Sequence, residues 1–148
     1  VSPVGFYAKS LDEALDLAKI SAEVKHNHPE GIKGAQAIAA AVFLTKQGKS
    51  KEELCEYLET AFGYDLHRTI DGIRPEYTYD VSCMGSTPEA IIAYLDSHDF
   101  ESAIRNAVSI GGDSDTIGAM AGAVAQAVPP CCSSCQGSRP ASSRVPTL

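Results

Sequence analysis

One segment restricts the fold of this chain more than any other: residues 35–44, which read AQAIAAAVFL. Wound into a helix, this segment is small and apolar on nearly every side. Such a helix must be buried among other helices. The segment therefore predicts the central helix of a helical bundle, beginning near Gly31 and ending at Gly48, a typical C-terminal glycine.

Start and stop signals predict further helices on both sides of this segment. Ser10 with Glu13 and Ser50 with Glu53 have the spacing of capping boxes, and Asp99 can cap a third helix. The predicted helices run from Ser10 to about Val24, from Ser50 to Gly63, from residues 86–89 to about Ser97, from Phe100 to about Val108 and from Asp115 to Ala127. Residues 64–85 read as a long connection with at most short helical turns, and no segment has strand alternation. The predicted fold class is all-α.

The composition divides the chain into a domain over residues 1–128 and a tail over residues 129–148. The tail (PPCCSSCQGSRPASSRVPTL) is rich in Ser, Pro and Cys and has no acidic residue, which predicts a disordered or non-native extension. Cys131, Cys132 and Cys135 lack the second ligand pair that a zinc site of this type needs.

Charge and hydropathy exclude several functional classes. The chain has 19 acidic and 12 basic residues, a net charge of −7, so we expect no nucleic-acid partner. No apolar run approaches the ~18–20 residues that span a membrane. The first ten residues show no signal peptide, and we expect the five cysteines to be reduced. These features together predict a cytoplasmic protein.

The strongest local signal for chemistry is the segment from Gly111 to Thr116, which reads GGDSDT. Asp113 and Asp115 are two positions apart, and the hydroxyl of Thr116 follows them. Carboxylate and hydroxyl oxygens at short range are the ligands that Mg²⁺ prefers. The alternative is a capping role for Asp113 or Ser114, because helix starts favour such residues.

Weaker signals occur elsewhere. His26 and His28 lie before the central helix, where they could contact an anionic ligand or a metal, or could be ordinary surface residues. Cys83 precedes a helix start and is either a nucleophile or, as we favour, a structural thiol. The irregular connection contains three residues that could line a pocket: Asp71, Arg74 and Tyr77.

Three strings, in this order and spacing, resemble the ADP-ribosylglycohydrolase family, which includes the dinitrogenase-reductase-activating glycohydrolases. They are HNHPEGIKGAQAIAAA from His26, SCMGSTPEAIIAYL from Ser82 and DFESAIRNAVSIGGDSDTIGAMAGAVA from Asp99. The resemblance covers about residues 1–127.

The resemblance implies an all-α hydrolase that cleaves the N- or O-glycosidic bond between ADP-ribose and an acceptor at a binuclear Mg²⁺ centre. It implies that Asp113, Asp115 and Thr116 are metal ligands and that His26 lies at the ADP-ribose pocket. Lys25 occupies a position where the family more often has Thr or Ser. The implied partner is an ADP-ribosylated protein or small molecule.

The chain also departs from the family pattern. Family members are about twice as long, and their other metal ligands come from N-terminal G-D-A-x-G and D-D-T-like strings that this sequence lacks. The chain therefore resembles the C-terminal half of such an enzyme, an incomplete helical bundle with no assigned catalytic residue, and we expect little or no activity from it alone. The alternative interpretation is a non-catalytic ADP-ribose-binding or structural remnant.

Overall fold

A computed structural model describes residues 1–24, 28–77 and 82–129. The described residues form helices and no strand, which confirms the all-α prediction. The helices are α1 (Ser2–Tyr7), α2 (Leu11–Glu23), α3 (Pro29–Lys46), α4 (Lys51–Phe62), α5 (Ile70–Ile73), α6 (Cys83–Leu95), α7 (Phe100–Ile110) and α8 (Ser114–Gln126). No helix in these ranges is long and apolar enough to cross a membrane.

The apolar segment 35–44 occupies the centre of the molecule, as its composition predicts. It forms the middle of α3, which packs against α1, α2, α4, α6 and α8. Residues 37–43 are all buried. The core continues through Leu54 and Leu58 of α4, Ile91 and Ile92 of α6, and the inner faces of α7 and α8.

Local signals place most helix boundaries correctly. Ser50 and Glu53 form a complete capping box at the start of α4, and Gly63 ends that helix in a left-handed conformation with φ 67°. At Ser10 only half of the predicted box forms. The Ser10 hydroxyl accepts from the Glu13 N–H, but the Glu13 carboxylate turns to the N–H of Lys9 at 2.7 Å.

The sequence analysis missed one helix and placed one helix start wrongly. The missed helix is α1, which has a proline in its first turn. The wrong start is that of α6, which begins at Cys83 rather than at residues 86–89, because Ser82 caps it through the N–H of Gly85. Pro88 is consequently inside the helix and not in its first turn.

Candidate metal and substrate site

The GGDSDT segment forms the tight connection between α7 and α8. Gly111 and Gly112 have φ values of 84° and 60°, a region of backbone conformation that favours glycine. The chain reverses there, and α8 returns along α7 and α6. Ile110 and Ile117 are buried on either side of the turn, so that packing holds it in place.

Asp113 occupies the N-cap position of α8, but its side chain makes no capping hydrogen bond. The hydroxyl of Ser114 donates to the carbonyl of Gly112 at 3.5 Å and does not cap either. The helices α2 to α7 all have a side-chain cap, so α8 differs from them. Capping therefore does not account for the carboxylate at position 113.

The carboxyl groups of Asp113 and Asp115 are within hydrogen-bonding distance of each other. This contact, followed by the backbone N–H groups of Thr116 and Asp115, holds the pKa of Asp115 below its usual range. Asp113 is half-buried, while Asp115 and Thr116 are exposed. The turn thus presents two adjoining carboxyl groups and a hydroxyl to solvent at the N-terminus of α8.

Of the two histidines that the sequence analysis singled out, His26 and His28, the structure describes only His28. His26 lies outside the described residues, so its predicted contact with substrate stays a prediction. His28 caps α3, since its Nδ1 accepts from the N–H of Glu30 at 3.3 Å. This capping bond gives His28 a structural role that needs no ligand.

Arg74 ties α5 to α7. Its guanidinium donates to the hydroxyl of Ser109 at 3.0 and 2.9 Å and pairs with the carboxylate of Asp71. Tyr77 does line an open groove, of about 520 Å³. Cys83 is the first residue of α6, and its side chain lies outside the described part of the structure.

The sequence analysis did not single out one pair in this groove, Arg68 and Glu89. Glu89 is only 5% exposed, and one of its carboxylate oxygens accepts from Arg68 at 2.8 Å. The other oxygen has no hydrogen-bond partner among the described residues. The available signal was an acidic residue followed directly by the apolar run AIIAYL, which places a carboxylate on a buried helix.

Comparisons with known proteins agree with this architecture. A family model described as ADP-ribosylglycohydrolase matches residues 1–128. An uncharacterized protein of Archaeoglobus fulgidus is 32% identical over 139 residues, which cover 84% of this chain and 46% of the relative. The chain thus spans about half the length of this curated relative.

Proposed function

The chain belongs to the ADP-ribosylglycohydrolase family, and on that premise we propose that it serves in the Mg²⁺-dependent hydrolysis of the glycosidic bond between ADP-ribose and an acceptor. One observation carries the proposal: the adjoining carboxyl groups of Asp113 and Asp115, of which the first occupies a cap position without capping. The acceptor would belong to an ADP-ribosylated protein or small molecule.

The donor set fits a hard divalent cation. Mg²⁺ is commonly bound through one or two carboxylates while it keeps several waters. Asp113 and Asp115 supply two carboxylates, and Thr116 adds a hydroxyl on the same turn. The exposure of Asp115 and Thr116 leaves room for waters and for further ligands. The positive end of α8 opposes a cation, so the paired carboxylates have to outweigh it.

The role of these residues in the reaction follows from their charge. Bound Mg²⁺ would supply Lewis-acid and template chemistry at the ribose hydroxyls and at a water. Asp113 and Asp115 would hold the cation in place through their negative charge, while the glycosidic bond breaks through an oxocarbenium-like state. The bond from the anomeric carbon to the acceptor breaks, and water supplies the new anomeric hydroxyl and the proton on the acceptor.

The family resemblance assigns the other ligands to a segment with G-D-A-x-G and D-D-T-like strings. We therefore expect this chain to hydrolyse ADP-ribosyl substrates only when such an N-terminal segment is supplied. A magnesium-dependent turnover of about 1–10³ s⁻¹ by the chain alone would contradict this expectation. If the N-terminal segment restores no hydrolysis, the non-catalytic alternative is favoured.

The decisive variant is Asp115→Asn in a protein that contains both segments. We expect most of the activity to be lost and the fold to be retained, because an amide lacks the charge that binds the cation while the exposed position tolerates it. Hydrolysis of an ADP-ribosylated substrate and circular dichroism measure the two effects. Ser114→Ala is the matched control in the same turn and should leave hydrolysis unchanged. Full activity of Asp115→Asn would show that Asp115 has a purely structural role at the start of the helix.

A further inference from the structure

A second cluster of potential metal ligands lies on α4 and on the segment that follows it. Cys55 and Glu59 are one helical turn apart on α4, and His67 comes from the connection between α4 and α5. The thiol sulfur, a carboxylate oxygen and an imidazole nitrogen all lie within 4.8 Å of one another. The cluster shares no residue with the Asp113–Thr116 turn.

The distance between His67 and Glu59 matches that between two ligands of a tetrahedral zinc site, and the Cys55 sulfur lies within 4.8 Å of both. With bond lengths of about 2.0–2.2 Å to nitrogen and oxygen, two such ligands of one Zn²⁺ lie roughly 3.3–3.5 Å apart. Nε2 of His67 and Oε1 of Glu59 are 3.3 Å apart. The His67 side chain is 81% exposed. It can therefore rotate closer to the Cys55 sulfur without disturbing the core.

The backbone around the cluster holds the connection against α4. Gly63 ends α4 in the left-handed conformation and turns the chain back along the helix. The N–H of Leu66 then donates to Oε1 of Glu59 at 3.2 Å, and the N–H of His67 donates to Asp65 at 3.3 Å. In metal sites, hydrogen bonds to a ligating side chain hold it in the orientation in which it binds the ion.

The charges of the surrounding groove favour a cation. Cys55, Glu59 and His67 line an open groove of about 580 Å³. Its other acidic lining residues are Glu52, Glu56 and Asp96, and its cations are Lys51 and Arg68. Both cations are engaged elsewhere, since Lys51 donates to the carbonyls of Tyr94, Leu95 and Ser97 and Arg68 pairs with Glu89.

We propose that Cys55, Glu59 and His67 bind one Zn²⁺ ion that ties the connection between α4 and α5 to α4. Thiolate and imidazole ligands select borderline-soft ions such as Zn²⁺, whereas Mg²⁺ prefers oxygen. On binding, the thiol of Cys55 releases its proton to solvent, and the thiolate sulfur forms a bond to the metal. Three protein ligands leave the fourth position to water.

The test uses Co²⁺ as a spectroscopic probe for the zinc site. The protein is the full chain with the other four cysteines, Cys83, Cys131, Cys132 and Cys135, replaced by serine. Titration with Co²⁺ should give one equivalent of bound ion, a thiolate-to-cobalt charge-transfer band and visible absorption of tetrahedral strength. Zn²⁺ should displace the probe and abolish both signals.

Variants assign the ligands. Cys55→Ser should abolish the charge-transfer band, and Glu59→Gln and His67→Asn should each weaken Zn²⁺ binding by at least about tenfold. The exposed Glu101→Gln on α7 and the exposed His98→Asn, both outside the groove, are matched controls and should bind Zn²⁺ as the parent does. Circular dichroism confirms that each variant is helical.

Two results would overturn the proposal: absence of the charge-transfer band in the parent, or equal Zn²⁺ affinity of the parent and Cys55→Ser. Either would show that the cluster is only a hydrogen-bonded group on α4. A further variant, Asp113→Asn with Asp115→Asn, should retain the zinc site. The test is therefore independent of the proposed Mg²⁺ site.

Discussion

At the scale of single residues, Gly5 decides how closely α1 lies on α3. A Cβ atom at this position would stand 2.6 Å from the carbonyl oxygen of Ala39 and 2.7 Å from Cβ of Val42. Gly122 of α8 is less restricted, because the atom 2.8 Å from a Cβ there is Cδ1 of Ile104, the end of a flexible side chain. At Gly118 a Cβ would have nothing within 4 Å. Close approach to backbone thus explains Gly5 but not Gly118.

We expect Gly5→Ala to lower the free energy of unfolding by about 1–3 kcal/mol, because the Ala39 carbonyl belongs to the buried central helix and cannot move away. Gly118→Ala is the matched control and should raise it by roughly 0.5–1 kcal/mol, since alanine is the better helix former. Urea denaturation of both variants measures the difference. A Gly5→Ala protein as stable as the parent would show that α1 does not pack on α3 in solution.

At the scale of helices, stability depends on caps that the sequence shows directly. The Ser50 hydroxyl accepts from the N–H of Glu53 at 3.2 Å, and the Glu53 carboxylate accepts from the N–H of Ser50 at 3.0 Å. Ser50→Ala should therefore lower the free energy of unfolding by about 1 kcal/mol. Lys49→Ala removes only an exposed ion pair with Glu53 and should have a much smaller effect in the same urea titration. Equal effects of the two substitutions would contradict the role of the cap.

The cap of α7 makes part of the stability depend on pH. Hydrogen bonds from the N–H and hydroxyl of Ser102 hold the pKa of Asp99 below its usual range. A carboxyl whose pKa is depressed in the folded state stabilises that state above its unfolded pKa, and this contribution is lost as the pH falls through the folded value. Asp99→Asn keeps a good cap that does not titrate. As the pH falls from about 5 to 2, the free energy of unfolding of the parent should therefore decrease relative to that of Asp99→Asn. A constant difference over that range would contradict the assignment.

At the scale of the whole molecule, the core of α3, α4, α6, α7 and α8 accounts for the fold without the tail. Residues 130–148 lie outside the described residues, and the composition of residues 129–148 provides no apolar face to pack. Ordering each residue would cost about 1–2 kcal/mol with little burial in return. Deletion of residues 129–148 should leave the thermal midpoint unchanged, or raise it slightly by removing three thiols that can cross-link. A clear drop in the midpoint by calorimetry would show that the tail belongs to the fold.

The sequence by itself determined the features that depend on neighbours within one helical turn. The caps at Ser50 and Asp99, the glycine stop at Gly63 and the burial of residues 37–43 all follow from local hydrogen bonding and side-chain polarity. The adjoining carboxyl groups of Asp113 and Asp115 belong to the same class, because their positions differ by two residues on one turn. Such features need no knowledge of how the helices are arranged.

Only the tertiary structure decided which distant residues meet. His67 reaches Glu59 because Gly63 reverses the chain along α4, and Arg68 reaches Glu89 because α6 packs beside that connection. Residues 64–69 have no periodicity that predicts either contact. Both depend on the course of an irregular segment over a helix surface, and that course is set by packing across the whole bundle rather than by the segment's own residues.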